Sequence, residues 1–351
     1  MRLFWRRYYG DLCKRYYAID GRLGESWDHP GLQVGNPNQP VHKILVALDM
    51  TELNISYAID HGVDMVISHH PFLFKPIHDI DLSTCKGRMI ENLIRHRITS
   101  FAAHTNLDSA VQGVNDALAE KLGLQECKGF VPVMTYSSYK FTLYITAAHA
   151  KLLKKKLDSL RGKDIESYYV VDDADDFTEN IRVEFRVPGQ LVKQVKDMIS
   201  SLDKSAKYDV YKLVNHGYKE TMGRIGKFPF PMSVEEALSY IKNKLEIPVL
   251  RYAGNRDRLV EKIAILGGAG AEFAGVAKSM GADLYLTGDL KYHEAQDAAM
   301  NGLVIADGGH FYTERVIIPY LAKRLRDEFK TRGWNVGVLE DVRAKDIFHC
   351  V

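Results

Sequence analysis

Val63-Asp64-Met65-Val66-Ile67-Ser68-His69-His70-Pro71 is an apolar, β-branched run that ends in two adjacent imidazoles and a proline. Its length fits a buried strand, and the proline, with no N–H for the ladder, stops it. Two metal-capable side chains are thereby expected at the C-terminal lip of a strand. Open α/β sheets bind ligands there, because loops carry the chemistry while the sheet holds their roots. Alone, such a dipeptide reads as one surface histidine and one packed one, so the neighbouring sequence has to decide.

Upstream, Lys43-Ile44-Leu45-Val46-Ala47-Leu48-Asp49 reads as a buried strand, followed by a helix through residues 57–61. Downstream, a helix around 89–97 leads to a third strand, Ile98-Thr99-Ser100-Phe101-Ala102-Ala103, which runs into His104-Thr105-Asn106-Leu107-Asp108. The unit is βαβαβ. Near the other end of the chain, Lys262-Ile263-Ala264-Ile265-Leu266-Gly267 and Gly281-Ala282-Asp283-Leu284-Tyr285-Leu286-Thr287-Gly288-Asp289 repeat the pattern, with Lys262 as far from Gly281 as Lys43 is from Gly62. A third strand, Leu303-Val304-Ile305-Ala306-Asp307, then reaches Gly308-Gly309-His310-Phe311-Tyr312-Thr313-Glu314. Each copy closes its third strand with a histidine and, four residues on, a carboxylate. Repetition of a whole supersecondary unit implies two half-domains that face one another.

Between the copies lies a different rhythm. Strands at Phe141-Thr142-Leu143-Tyr144-Ile145, 167–171, 181–187 and 208–214, with helices at 149–160 and 191–202, spell βαββαβ, a ferredoxin-like module. The expected organisation is α/β. Residues 1–128 and 223–351 form two pseudo-repeated βαβαβ half-domains, and an α+β domain is inserted at 129–222. The acidic run 172–176 falls in the insert's central hairpin and reads as a solvated loop.

At 351 residues, more than one domain is expected. Lys and Arg number 47 against 45 Asp and Glu, a balance that gives no general reason for nucleic-acid or membrane binding. No apolar run is long enough to cross a bilayer, and residues 1–9 lack the apolar core of a signal peptide, so a cytoplasmic location is expected. The basic, aromatic segment 1–17 reads as a solvated amphipathic helix. Cys13, Cys85, Cys127 and Cys350 show no CxxC spacing, which argues against a disulfide framework and a thiolate zinc site.

Imidazoles with carboxylates suit borderline divalent metals such as zinc, iron or manganese. Five candidate ligands, His69, His70, Asp108, His310 and Glu314, come from both copies. They exceed what one open catalytic ion takes and fit two ions bridged by a carboxylate and a hydroxide. If a helix begins at His310, Glu314 lies one turn on along the same face; a plain helix-surface pair is the alternative. His104 is a candidate hydrogen-bonding partner or occasional ligand. Asp289 and His293 could carry protons or orient substrate, or serve to cap the helix starting near His293. Gly267-Gly268-Ala269-Gly270 reads as a phosphate-cradling turn or simply a tight one. Trp27, Asp28 and His29, in an irregular segment, could line a pocket, although packing the loop onto the core is the commoner reason for such a Trp.

Ser68-His69-His70-Pro71, the stretch 103–108, Thr287-Gly288-Asp289 with His293, and Gly309-His310 through Glu314 occur in this order. With them, and with Trp27-Asp28 through Gly35, the chain resembles the Nif-three-like family, also called the GTP cyclohydrolase I type 2 homologue family. The resemblance covers roughly 20–127 and 223–351. It implies a dinuclear metal site with the same five ligands, a toroidal homohexamer, and membership of a bacterial subgroup whose insert is similar to PII and CutA proteins.

The expected function is a metal-dependent hydrolase acting on a nucleotide such as GTP, a cyclic amide or a phosphoester through a metal-bridged hydroxide. A non-enzymatic metal carrier or regulatory protein with a ligand-sensing insert is the alternative. A nucleic-acid scaffold using Arg6, Arg7, Lys154, Lys155 and Lys156 is disfavoured by the charge balance.

Overall fold

A computed structural model describes residues 25, 27–158, 166–171 and 180–349; the segment 1–17, the acidic run 172–176 and Cys350 lie outside them. The chain divides into two compact units. One holds the residues up to Val133 and those from Thr221 onward, and the other is Met134–Glu220. In chain order the strands are β1 (Gly31–Val34), β2 (Lys43–Ala47), β3 (Met65–Ser68), β4 (Thr99–Ala102), β5 (Gln125–Lys128), β6 (Val131–Thr146), β7 (Glu166–Val171) and β8 (Asn180–Pro188). There follow β9 (Lys207–Met222), β10 (Arg224–Ser233), β11 (Arg251–Ala253), β12 (Leu259–Ala269), β13 (Leu284–Gly288), β14 (Val304–Asp307) and β15 (Gly337–Glu340).

The first unit contains two sheets, ordered β1-β4-β3-β2-β15 and β11-β14-β13-β12-β10-β5. In the former, β15, β2, β3 and β4 run parallel and β1 lies antiparallel on β4. In the latter, β12, β13 and β14 run parallel and β11 lies antiparallel on β14. Every residue of β3 and β4 is buried. Parallel strands covered on both faces carry no alternation of apolar and polar residues, which is why Met65–Ser68 reads as a continuous run.

Matching contacts set the register in both sheets. The Asp64 carboxylate accepts the N–H groups of His42 and Lys43, and Asp64 donates its own N–H to the Lys43 carbonyl. Asp283 does the same with the N–H groups of Glu261 and Lys262 and the Lys262 carbonyl.

The helices start where caps place them. Thr84 accepts the Gly87 N–H and starts a helix at Cys85–Arg95, earlier than the apolar residues around Met89 alone indicate. Helix Ile317–Thr331 buries Ile317, Ile318, Leu321, Ala322, Leu325 and Phe329, one stripe of its surface, against Ile44, Val46, Met65 and Ile67 of the first sheet. From there the chain adds β15 beside β2, while β5, from the N-terminal part, extends the second sheet beyond β10. The two sheets thus exchange strands, which the boundaries 1–128 and 223–351 do not convey.

The second unit is built on the order β7-β8-β6-β9 with helices Ala147–Asp158 and Val192–Leu202. Phe141, Leu143 and Ile145 alternate into its core opposite Phe185, Val183 and Ile181. The period of two marks a sheet covered on one face. Phe141 stacks on Phe185 with ring centroids 5.2 Å apart.

Candidate metal centre

Strand ends from both sheets of the first unit supply the side chains. His69 and His70 directly follow β3, and His104 precedes the one-turn helix Thr105–Asp108 after β4. His310 opens helix His310–Glu314 after β14 and Asp289 follows β13. Because that helix begins at His310, its i and i+4 side chains meet: His310 Nε2 is 3.1 Å from Glu314 Oε2. Gly309, at φ 77°, makes the turn that feeds the helix.

Each imidazole is fixed from behind at Nδ1. His69 Nδ1 lies 2.7 Å from the Ala103 carbonyl, His70 Nδ1 2.7 Å from Asp49 Oδ1, and His310 Nδ1 2.7 Å from Asp289 Oδ2. A carbonyl or carboxylate oxygen only accepts, so Nδ1 carries the hydrogen in all three and the neutral ring leaves a lone pair on Nε2. Those lone pairs converge. His70 Nε2 is 2.9 Å from Glu314 Oε2 and 3.3 Å from His310 Nε2, while His69 Nε2 is 3.6 Å from Glu314 Oε1 and 3.7 Å from Asp108 Oδ1. His69 Nε2 and Asp108 Oδ1 are buried with no hydrogen-bond partner among the described residues.

Acceptor atoms this close repel unless positive charge sits between them. His69, His70 and Glu314 present three ligand atoms within 4.8 Å of one another, a donor set of the kind that takes a borderline divalent ion. Where no cation is bound, protons take its part. Burial disfavours the His70 cation, but the hydrogen bonds to Asp49 and Glu314 outweigh it and lift the group to about 10. Against the same burial, Glu314 and Asp289 lift His310 to about 9. Burial opposes the Glu314 charge too, yet the three histidines hold its carboxyl well below the ordinary value. Asp108, on the far side, is raised to about 6 by burial and by the Glu314 charge.

All five expected ligands therefore lie in one cluster. His104 borders it, with its ring centroid 5.4 Å from that of His69 and 5.7 Å from that of His70, and its Nδ1 3.0 Å from Asp28 Oδ1. Asp289 is committed to the His310 ring. His293 stands apart, exposed in the first turn of helix Tyr292–Met300 with its ring edge-on to Tyr292. The segment Gly267-Gly268-Ala269 is the end of β12, not a free phosphate loop. Gly268, at φ 68°, runs so close to Glu314 that a Cβ there would collide with Oε1. A bare backbone is what this approach requires.

Two residues escaped the reading of the sequence. Asp49 buttresses His70 from 21 positions earlier, the separation by which Asp289 precedes His310, and that shared spacing is the signal that could have found it. Asn115, fully buried, donates to the Asp108 carbonyl and accepts the Gly267 N–H, tying the turn after β4 that carries Asp108 to β12. A lone Asn on a helix gives no such sign.

A family model described as Duf34/NIF3 (NGG1p interacting factor 3) matches residues 13–345. Similar proteins named GTP cyclohydrolase 1 type 2 homolog include one from Halalkalibacterium halodurans, 33% identical over 93% of this chain and 94% of that protein. Another, from Bacillus subtilis, is 32% identical over 92% of this chain and 91% of its own length. A solved Bacillus cereus protein related to NIF3 superposes with a TM-score of 0.85 at 32% identity, over 97% of this chain and 99% of that one. No helix among the described residues is long and apolar enough to cross a membrane.

Proposed function

We propose, from the premise that this chain belongs to the Duf34/NIF3 family, that it is a metal-dependent hydrolase with a dinuclear centre. The observation that carries the reading is the division of labour at Glu314. Its Oε1 faces His69, which also faces Asp108, and its Oε2 faces His70 and His310. One carboxylate shared between two groups of donors fits two neighbouring ions: His69, Asp108 and Glu314 would hold one, and His70, His310 and Glu314 the other. Zinc, iron or manganese held there would supply Lewis-acid charge and a hydroxide nucleophile at neutral pH for attack on a nucleotide, cyclic amide or phosphoester.

The chain's own groups orient and move protons. Asp49, Asp289 and the Ala103 carbonyl lock the three ligand rings with Nε2 inward. His104 sits against His69 and His70 and faces Asp28, and the proton for a departing group is assigned to it in this reading. Asp289 is a positioning residue, and His293 is given no part.

The matched Asp64 and Asp283 contacts support duplication of a βαβαβ unit, and the order β7-β8-β6-β9 supports a ferredoxin-like insertion. A homohexamer and an insert similar to PII and CutA proteins belong to the same reading through the family resemblance.

Elemental analysis of gently purified protein tests it. About two ions per chain are expected, falling in His70→Ala and Glu314→Ala together with turnover of GTP or phosphoesters. Metal content indifferent to both substitutions would sink the reading, and full metal with no turnover across that panel would favour the carrier alternative.

A further inference from the structure

Trp27 and Phe74 are large aromatic side chains that remain 56% and 51% exposed. A single exposed aromatic is ordinary. These two touch each other edge-on, with centroids 6.0 Å apart, and both touch His104, at 6.0 and 6.2 Å. His104 in turn contacts the rings of His69 and His70. An unbroken series of rings thus runs from solvent to the candidate metal ligands.

Both aromatics are held in place by polar anchors. Asp28, next to Trp27, is buried, accepts the Thr105 hydroxyl at 2.5 Å and the Thr105 N–H at 3.2 Å, and faces His104. Gln33 staples the Trp27 loop to the Phe74 loop, since its Nε2 donates to the His29 carbonyl and its Oε1 accepts the Leu73 N–H. Exposed apolar rings on pinned backbone lose little conformational freedom when something flat is laid on them.

We propose that Trp27 and Phe74 form a specificity subsite that receives the planar heteroaromatic ring of a nucleotide whose anionic part is directed to the metal cluster. The choice of a nucleotide rests on the hydrolase reading. A nucleotide joins a flat ring to an anion through a sugar, and the chain presents aromatic surface two ring contacts from the imidazoles and carboxylates proposed to hold divalent ions. Base stacking on aromatics tolerates different bases, so either purine fits, and the subsite sets ring against no ring more than one purine against the other.

Calorimetric titration of the purified protein with GMP, AMP and ribose 5-phosphate decides it. The wild type binds both nucleotides more tightly than the base-less sugar phosphate. Trp27→Leu and Phe74→Leu each weaken nucleotide binding by about tenfold while leaving ribose 5-phosphate binding unchanged. Metal content and size-exclusion elution stay as in the wild type. Equal binding of all three probes, or nucleotide binding unaffected by both substitutions, overturns the proposal. So does a shift in elution volume, which would mean that the rings face another copy of the chain. Nucleotide binding that depends on Trp27 in protein lacking the metal centre would sink the hydrolase reading alone, whereas metal-dependent turnover indifferent to both substitutions would sink only the subsite.

Discussion

Three imidazoles with Nδ1 tied down and Nε2 aimed at one buried glutamate make a proton trap in the absence of a cation. His70, raised to about 10, and His310, raised to about 9, both hold protons at pH 8, and a divalent ion must displace them. The sign follows. Raising the pH from 7 toward 9 strengthens apparent metal affinity, by roughly tenfold per pH unit for each proton released. Metal titrated into chelator-treated protein at pH 8, in buffers of different ionisation enthalpy, should show heats that differ by the buffer; identical heats would mean that no proton leaves. In the metal-free protein the raised pKa values also stabilise the fold, fully below about 6.5, and that contribution fades as pH climbs through 9 to 10. At this scale the candidate ligands could be read from residue type and spacing. Of their buttresses, Asp49 shows only in the 21-residue spacing it shares with Asp289, while Ala103 and Asn115 leave no sign, because they become partners only through folding.

Elements differ in how plainly their sequences announce them. Helix Ile317–Thr331 shows its stripe at 317, 318, 321, 322, 325 and 329, and its depth follows: Leu321 is 4% exposed against the first sheet. Leu321→Ala should cost about 2 to 5 kcal/mol, read as a lower denaturation midpoint with little change in slope. A loss below about 0.5 kcal/mol would mean that the helix is not a core element. The one-turn helices at Thr105–Asp108 and His310–Glu314 are too short for periodicity to find. What revealed the second was the pairing of His310 with Glu314 after a glycine turn, a chemical signal in place of a hydrophobic one.

Across the whole first unit, the candidate ligands come from turns after β3 and β4 in one sheet and after β14 in the other, so His70 and Glu314 meet across 244 positions of sequence. An ion held there would bind the folded arrangement and have no equivalent in the unfolded chain. Restoring metal to chelator-treated protein should therefore raise the thermal midpoint by several degrees, about 2.7 kcal/mol at a hundredfold excess over the dissociation constant, and Glu314→Ala should abolish that rise. A midpoint indifferent to metal in the unsubstituted protein would count against a centre joining the two sheets. The sequence by itself determined the parallel strands, the candidate ligand types and their positions at strand ends, because burial and backbone geometry leave local periodicities and stop signals in the chain. Only the tertiary structure decided which lone pairs converge, that Asp49 backs His70 while Asp289 backs His310, and that β15 and β5 cross to the opposite sheets. Those outcomes depend on contacts between residues from 21 to more than 200 positions apart, and a sequence carries little local mark of such neighbours.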